Sequence, residues 1–102
     1  MNKQAMLRIK RLQQEMVQTQ KEIEETEFKA SSGPVTLIML GKKEIKHLTI
    51  DKEFEFEDKD DYEMLEDTIV ALSRQLIREI EEYTEEKMSK YTAMFGGMGG
   101  LF

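Results

Sequence analysis

The chain has 102 residues, 39% of them hydrophobic and 35% charged, with 15 basic against 21 acidic side chains and a formal net charge of -6. That length is one domain's worth, and the charged fraction exceeds the ~25% usual for globular domains, which points to long solvated helices and to a core completed by dimerisation. The absence of cysteine excludes disulfides, thiolate metal sites and cysteine nucleophiles.

Residues 3 to 27 are predicted to form one long helix. Ala5, Ile9, Leu12, Met16 and Ile23 recur at alternating intervals of four and three, with Thr19 filling the remaining place. This is a heptad-like seam suited to helix-on-helix packing. No Gly or Pro interrupts it, and Gln, Glu, Lys and Met favour helix. At 1.5 Å per residue such a helix is ~37 Å long, more than so small a domain can cover, so one end is expected to project. Up to Gln14 the helix carries Lys3, Arg8, Lys10 and Arg11 and no acidic residue.

Three strands are predicted next, at roughly 27–31, 35–40 and 44–50, joined as an antiparallel meander. "VTLIML" is short and rich in β-formers, with the turn sequences "SSGP" and "GKK" on either side. The middle strand is apolar on both faces, Val35, Leu37 and Met39 on one and Ile38 and Leu40 on the other. One face is expected to meet helices and the other a further surface, such as a second protomer. Ile45 is out of phase with Leu48 and Ile50, which implies a bulge or a change in the covered face.

The charged connector "DKEFEFEDKDDYE" offers Asp60 as an N-cap, with Glu63 three residues on. A second long helix is predicted from about Tyr62 to about Tyr91, with the stripe Leu65, Ile69, Leu72, Leu76, Ile80 and Tyr83. Beyond Tyr83 the stripe thins to Met88 and Tyr91, so this end too is expected to project. "AMFGGMGGLF" holds four glycines and no charge and reads as a flexible tail. Residues 1–92 are accordingly taken as a single α+β domain and 93–102 as a Gly/Met-rich tail.

The basic stretch of the first helix has two readings, a solvated face or a surface for phosphate contact, and charge alone leaves both open. Arg74 and Arg78 lie four apart on the second helix, and Lys87 and Lys90 three apart near its end, among Glu81, Glu82, Glu85 and Glu86. Local i,i+4 pairing is expected for most of these, with Lys87 and Lys90 available to a binding surface. The connector fails the EF-hand pattern because Phe56 stands where that loop needs glycine; it reads as a solvated capping loop. His47 is the only histidine and has no nucleophile or orienting partner in any catalytic frame. "FGGMGG" lacks the Lys-Ser/Thr of a phosphate loop. The eight methionines fit core and interface filling. No enzymatic activity, metal or cofactor is expected. No apolar run marks a signal peptide or reaches the ~18 residues needed to span a bilayer, so a soluble cytoplasmic protein without membrane contact is expected.

The order helix, three strands, long helix and glycine-rich tail, with "MLRIKRLQQEM", "EFKASSG", "VTLIMLGKKEIKHLTID", "DYEMLEDTIVAL", "EEKMSKYTAMFGG" and the final "GLF", resembles the YbaB/EbfC nucleoid-associated DNA-binding proteins of bacteria nearly end to end. The resemblance implies α-β-β-β-α protomers in a tweezer-like homodimer. It also implies binding to duplex DNA without catalysis, location at the nucleoid, and roles in nucleoid organisation and gene regulation. Carried to matching positions, it places DNA contacts on the projecting helices: Lys3, Arg8, Lys10 and Arg11, and also Arg74, Arg78, Lys87 and Lys90. The chain departs from the family pattern at Ser32-Gly33-Pro34, where the family is richer in glycine, and at "SRQLIRE", which is bulkier and more basic. The alternative reading is a protein-interaction adaptor that uses the Met-rich helix seam and the tail.

Overall fold

Asn2 sets the start of the first helix. Its side chain accepts the Ala5 N–H at 2.7 Å, satisfying one of the donors that a helix start leaves unpaired. The structure is a computed structural model that describes residues 2–95. Its elements are α1 (Lys3–Glu25), β1 (Glu27–Ser32), β2 (Val35–Leu40), β3 (Ile45–Ile50) and α2 (Lys59–Phe95), the α-β-β-β-α order expected from the sequence. α1 closes at Thr26, whose N–H reaches the Ile23 carbonyl at 3.1 Å and whose hydroxyl donates to the Glu22 carbonyl at 2.6 Å.

The strands form an antiparallel sheet in the order β1-β2-β3. Ser32 pairs with Val35, leaving Gly33 and Pro34 as a two-residue turn. Gly33 adopts φ +54, open to glycine at little cost, and proline fixes the next φ, a combination suited to tight hairpins. In the second hairpin Ile38 pairs with His47 but Met39 pairs with Ile45. Lys46 is the extra residue of a bulge. The bulge returns Ile45 to the face of Leu48 and Ile50, which explains its phase in the sequence.

That face of β2 is the floor of the core. Val35, Leu37 and Met39, with Ala30 of β1, are buried under Leu65, Leu72, Leu76 and Ile80 of α2. α2 packs on β1 and β2, whereas the same face of β3 stays open: Ile45 is 57%, Leu48 43% and Ile50 38% exposed. α1 packs on the second half of α2. Its inward side is the predicted seam, with Ile23 buried and Ala5, Ile9, Leu12, Met16 and Thr19 half-buried. The Thr19 and Tyr91 hydroxyls lie 3.3 Å apart.

Both ends of α2 differ from the sequence expectation. The helix starts at Lys59 because Asp58, not Asp60, is its cap. Asp58 Oδ1 accepts the Asp60 N–H at 2.8 Å, and Asp61 Oδ2 accepts the N–H groups of Asp58 at 3.3 Å and Glu57 at 2.6 Å. Asp58 and Asp61 have the same three-residue spacing as Asp60 and Glu63, and the earlier pair makes the capping box. At the other end the helix runs through Ala93 and Met94 to Phe95. Tyr91 and Phe95, four apart on one face, are both buried, and their packing carries the helix beyond Tyr91. The remainder of the expected tail, 96–102, lies outside the described residues.

The molecule measures 71 × 21 × 15 Å, with a radius of gyration of 19.9 Å against ~13 Å for a compact chain of this length. The elongation follows from the helices. α2 rises ~48 Å from Lys59 to Tyr91, and α1 continues ~24 Å further from Thr19 to Lys3. Together these match the long axis, so Lys3 and Lys59 mark opposite ends.

Candidate nucleic-acid interface

On α1, with 100° per residue, the seam takes one side of the helix. Lys3 and Lys10, seven residues apart, share a row on the far side, and Arg8 and Arg11 occupy the flank between that row and the seam. All four are exposed. The helix N-terminus itself carries roughly +0.5 charge from the aligned peptide dipoles, and the first turn holds no acidic residue. Positive side chains and the positive dipole end therefore add, which disfavours the isolated helix and favours an anion beside it.

The ion pairs formed among the described residues are Lys42–Glu44, Lys43–Glu81 and Lys46–Glu27. None of the eight predicted contact residues takes part in them. The expected i,i+4 ion pairs along α2 do not form. The helical side-chain pairs are instead amide–carboxylate, such as Gln75 with Glu79 at 3.1 Å and Gln20 with Glu24 at 3.3 Å. The Lys87 ammonium lies 5.4 Å from the Tyr83 ring centre, and that of Lys90 lies 4.8 Å from the Tyr91 ring centre. Aromatic faces thus hold these lysines while leaving their charge unneutralised.

The eight cations do not form one patch on the chain. Lys3, Arg8, Lys10 and Arg11 line the free end of the helix-pair arm, and Lys87 and Lys90 lie beside its root. Arg74 and Arg78 are exposed on the part of α2 that covers the sheet, with Arg78 ~20 Å along the helix from Tyr91 and further still from the arm's end. The arm is fixed to the sheet at Gly41. Its N–H donates to the Thr26 carbonyl at 2.9 Å, and the Lys42 N–H donates to the Glu24 carbonyl at 3.2 Å.

The sequence reading missed an aromatic ladder in the connector. Phe54 borders the core and meets Phe56 edge-on at 5.1 Å, and Phe56 stacks on Tyr62 at 4.5 Å and 24°. The alternation Phe54-Glu55-Phe56 was a signal for it, but the contribution of Tyr62 from α2 depends on how the connector folds back. Among the described residues no group of three or more His, Asp and Glu is placed to hold a metal ion, and no helix is long and apolar enough to cross a membrane.

The family model described as the YbaB/EbfC DNA-binding family matches residues 1–95. The chain is similar to a nucleoid-associated protein of Acetivibrio thermocellus, 38% identical over 94 residues, covering 90% of this chain and 81% of that one. A nucleoid-associated protein of Agathobacter rectalis is 39% identical over 99 residues, covering 95% and 84%. One of Dictyoglomus turgidum is 36% identical over 101 residues, covering 97% and 95%.

Proposed function

Because the chain belongs to the YbaB/EbfC DNA-binding family, we propose that it is a nucleoid-associated homodimer that grips duplex DNA, mainly by phosphate contacts from its projecting basic helix ends. The family is one of DNA-binding proteins, not of enzymes. The observation that carries the reading is the undiluted charge of Lys3, Arg8, Lys10 and Arg11 on an arm that leaves the body. Lys87 and Lys90 extend the positive surface toward the arm's root. Arg74 and Arg78 act only where the duplex also meets the body.

The homodimer reading rests on β3. Ile45, Leu48 and Ile50 continue the core face of β2 into solvent, so a second copy that covers them completes the core. A two-fold interface of this kind presents the same patch from both protomers and doubles the number of basic arms. Location at the nucleoid follows from DNA binding, and effects on transcription follow wherever the bound duplex includes a promoter.

Phosphate contact makes the affinity salt-dependent and nearly indifferent to sequence. The four cations at the end of each arm give eight per dimer; if all eight meet phosphates, the log–log salt slope is about -7 and the loss in affinity between ~50 and ~200 mM salt is ~4 decades. The test is a fluorescence-anisotropy titration on unrelated duplexes across that range. Replacing Arg8, Lys10 and Arg11 by Gln is expected to weaken binding to all duplexes alike and to flatten the slope. An unchanged slope in the folded variant refutes the assignment of these contacts, and salt-insensitive wild-type binding refutes the phosphate grip.

A further inference from the structure

We propose that the exposed Phe56–Tyr62 stack at the base of one molecule docks Arg8 and Arg11 at the α1 end of a second copy, joining molecules head to tail. Phe56 is 46% and Tyr62 58% exposed, yet the two rings are held in a parallel stack at 4.5 Å, and Phe54 ties them to the core. Ordering two large apolar side chains in solvent gives the fold little, since neither ring joins the buried cluster. The surroundings of the rings define what suits them. Glu55 and Glu57 flank Phe56 in the chain, and from Asp51 to Glu63 the sequence has eight carboxylates against two lysines. An aromatic face rimmed by carboxylates suits a planar cation, and guanidinium both stacks on rings and pairs with carboxylates.

The complementary surface is on this same chain. From Lys3 to Gln14 there are four cations and no carboxylate, and Arg8 and Arg11 are exposed one helical turn apart. A protomer cannot satisfy its own stack, because the basic end and the connector are separated by the 71 Å long axis. The contact therefore joins two molecules through unlike patches. A head-to-tail contact of this kind assembles rings or open chains, and either raises the mass above that of the unassociated molecule. Both patches are exposed, so the contact is screened by salt.

Sedimentation velocity without DNA tests this, so that its failure leaves the nucleic-acid reading standing. At ~20 mM salt the mean mass is expected to rise with protein concentration, and at ~300 mM to fall to a constant baseline. The variant Phe56→Ser/Tyr62→Ser and the variant Arg8→Gln/Arg11→Gln are each expected to stay at baseline. Mixing the two restores the contact between unlike variants and is expected to raise the mean mass above baseline at low salt. A wild type that stays at baseline at low salt overturns the proposal. So does either variant associating as wild type does, or a mixture that stays at baseline. Circular dichroism checks that each variant is folded, and the arginine variant reads the contact from the opposite end of the molecule.

Discussion

Gly41→Ala isolates the joint between arm and sheet. A Cβ at residue 41 would lie 1.7 Å from the Ile23 carbonyl oxygen, 2.6 Å from its carbon and 3.3 Å from the Glu24 nitrogen. All three are backbone atoms, so no side-chain rotation relieves the overlap. Restoring ordinary contact separates the turn from the end of α1 by roughly 1.5 Å, enough to break hydrogen bonds whose useful range spans only about 0.5 Å. Two are at stake, from Gly41 to Thr26 and from Lys42 to Glu24, at ~1 kcal/mol net each. Ile23, only 3% exposed, opens with the joint and loses part of the ~1.5–3 kcal/mol that burying such a side chain gives. The expected cost is about 3–4 kcal/mol, a fall in Tm of roughly 15–30 °C for a domain of this size. Thermal unfolding by circular dichroism measures it. A fall below about 5 °C would mean that the joint yields for less than ~1 kcal/mol, refuting the reasoning that this glycine is required for the arm to seat.

Two further outcomes test the open strand and the connector. Leu48→Glu puts a carboxylate on the uncovered face of β3, where the side chain is already 43% exposed. It is expected to leave the protomer folded and yield monomers in size-exclusion chromatography with light scattering; a dimer of unchanged stability would remove β3 from the interface. Asp58→Ala deletes the α2 cap and its 2.8 Å bond to the Asp60 N–H, at an expected ~1 kcal/mol. The Tm should fall by about 4–8 °C, while the salt slope of DNA binding, which depends on the opposite end of the molecule, should not move.

The features legible in the sequence were those set by periodicity over several turns or by local chain geometry. The α1 seam from Ala5 to Ile23 emerged intact because one helical period governs all six positions. Strand β2 emerged with both its ends because "SSGP" and "GKK" bracket an apolar run that no helix of that length explains. The phase of Ile45 left a bulge and a change of covered face as alternatives, and the strand register decides for the bulge. The α2 start was not decidable in this way, because Asp58 with Asp61 and Asp60 with Glu63 offer the same capping spacing one half-turn apart. At the far end, the burial of Tyr91 and Phe95 on one helix face was masked by the glycines that follow. The candidate interface was legible only as composition. That Arg74 and Arg78 lie on the body while Arg8 and Arg11 lie on the arm depends on the antiparallel docking of α1 on α2, which no local spacing encodes. The stacking of Tyr62 on Phe56 likewise requires the connector to fold back over the start of α2.

The charge distribution bears on how the proposed DNA grip responds to salt. Beyond Gln14 the chain has 11 basic and 21 acidic residues, a balance of -10, so the body and the duplex repel each other. The repulsion acts through solvent over a Debye length of ~10 Å at 0.1 M salt, and added salt weakens it. Counterion release at the arm works in the opposite sense, since added salt weakens the contacts themselves. The two effects subtract, and the expected slope is shallower than the number of phosphate contacts alone implies. The repulsion also selects orientation. A duplex approaching side-on meets carboxylates, whereas one approaching the α1 end meets four cations and the positive end of a helix dipole. The length of the arm serves the proposed grip: the helix beyond Thr19 carries Arg8, Lys10 and Arg11 roughly 12–17 Å and Lys3 ~24 Å from the level at which α1 meets Tyr91, each beyond one Debye length, so an acidic body can hold DNA by its tips.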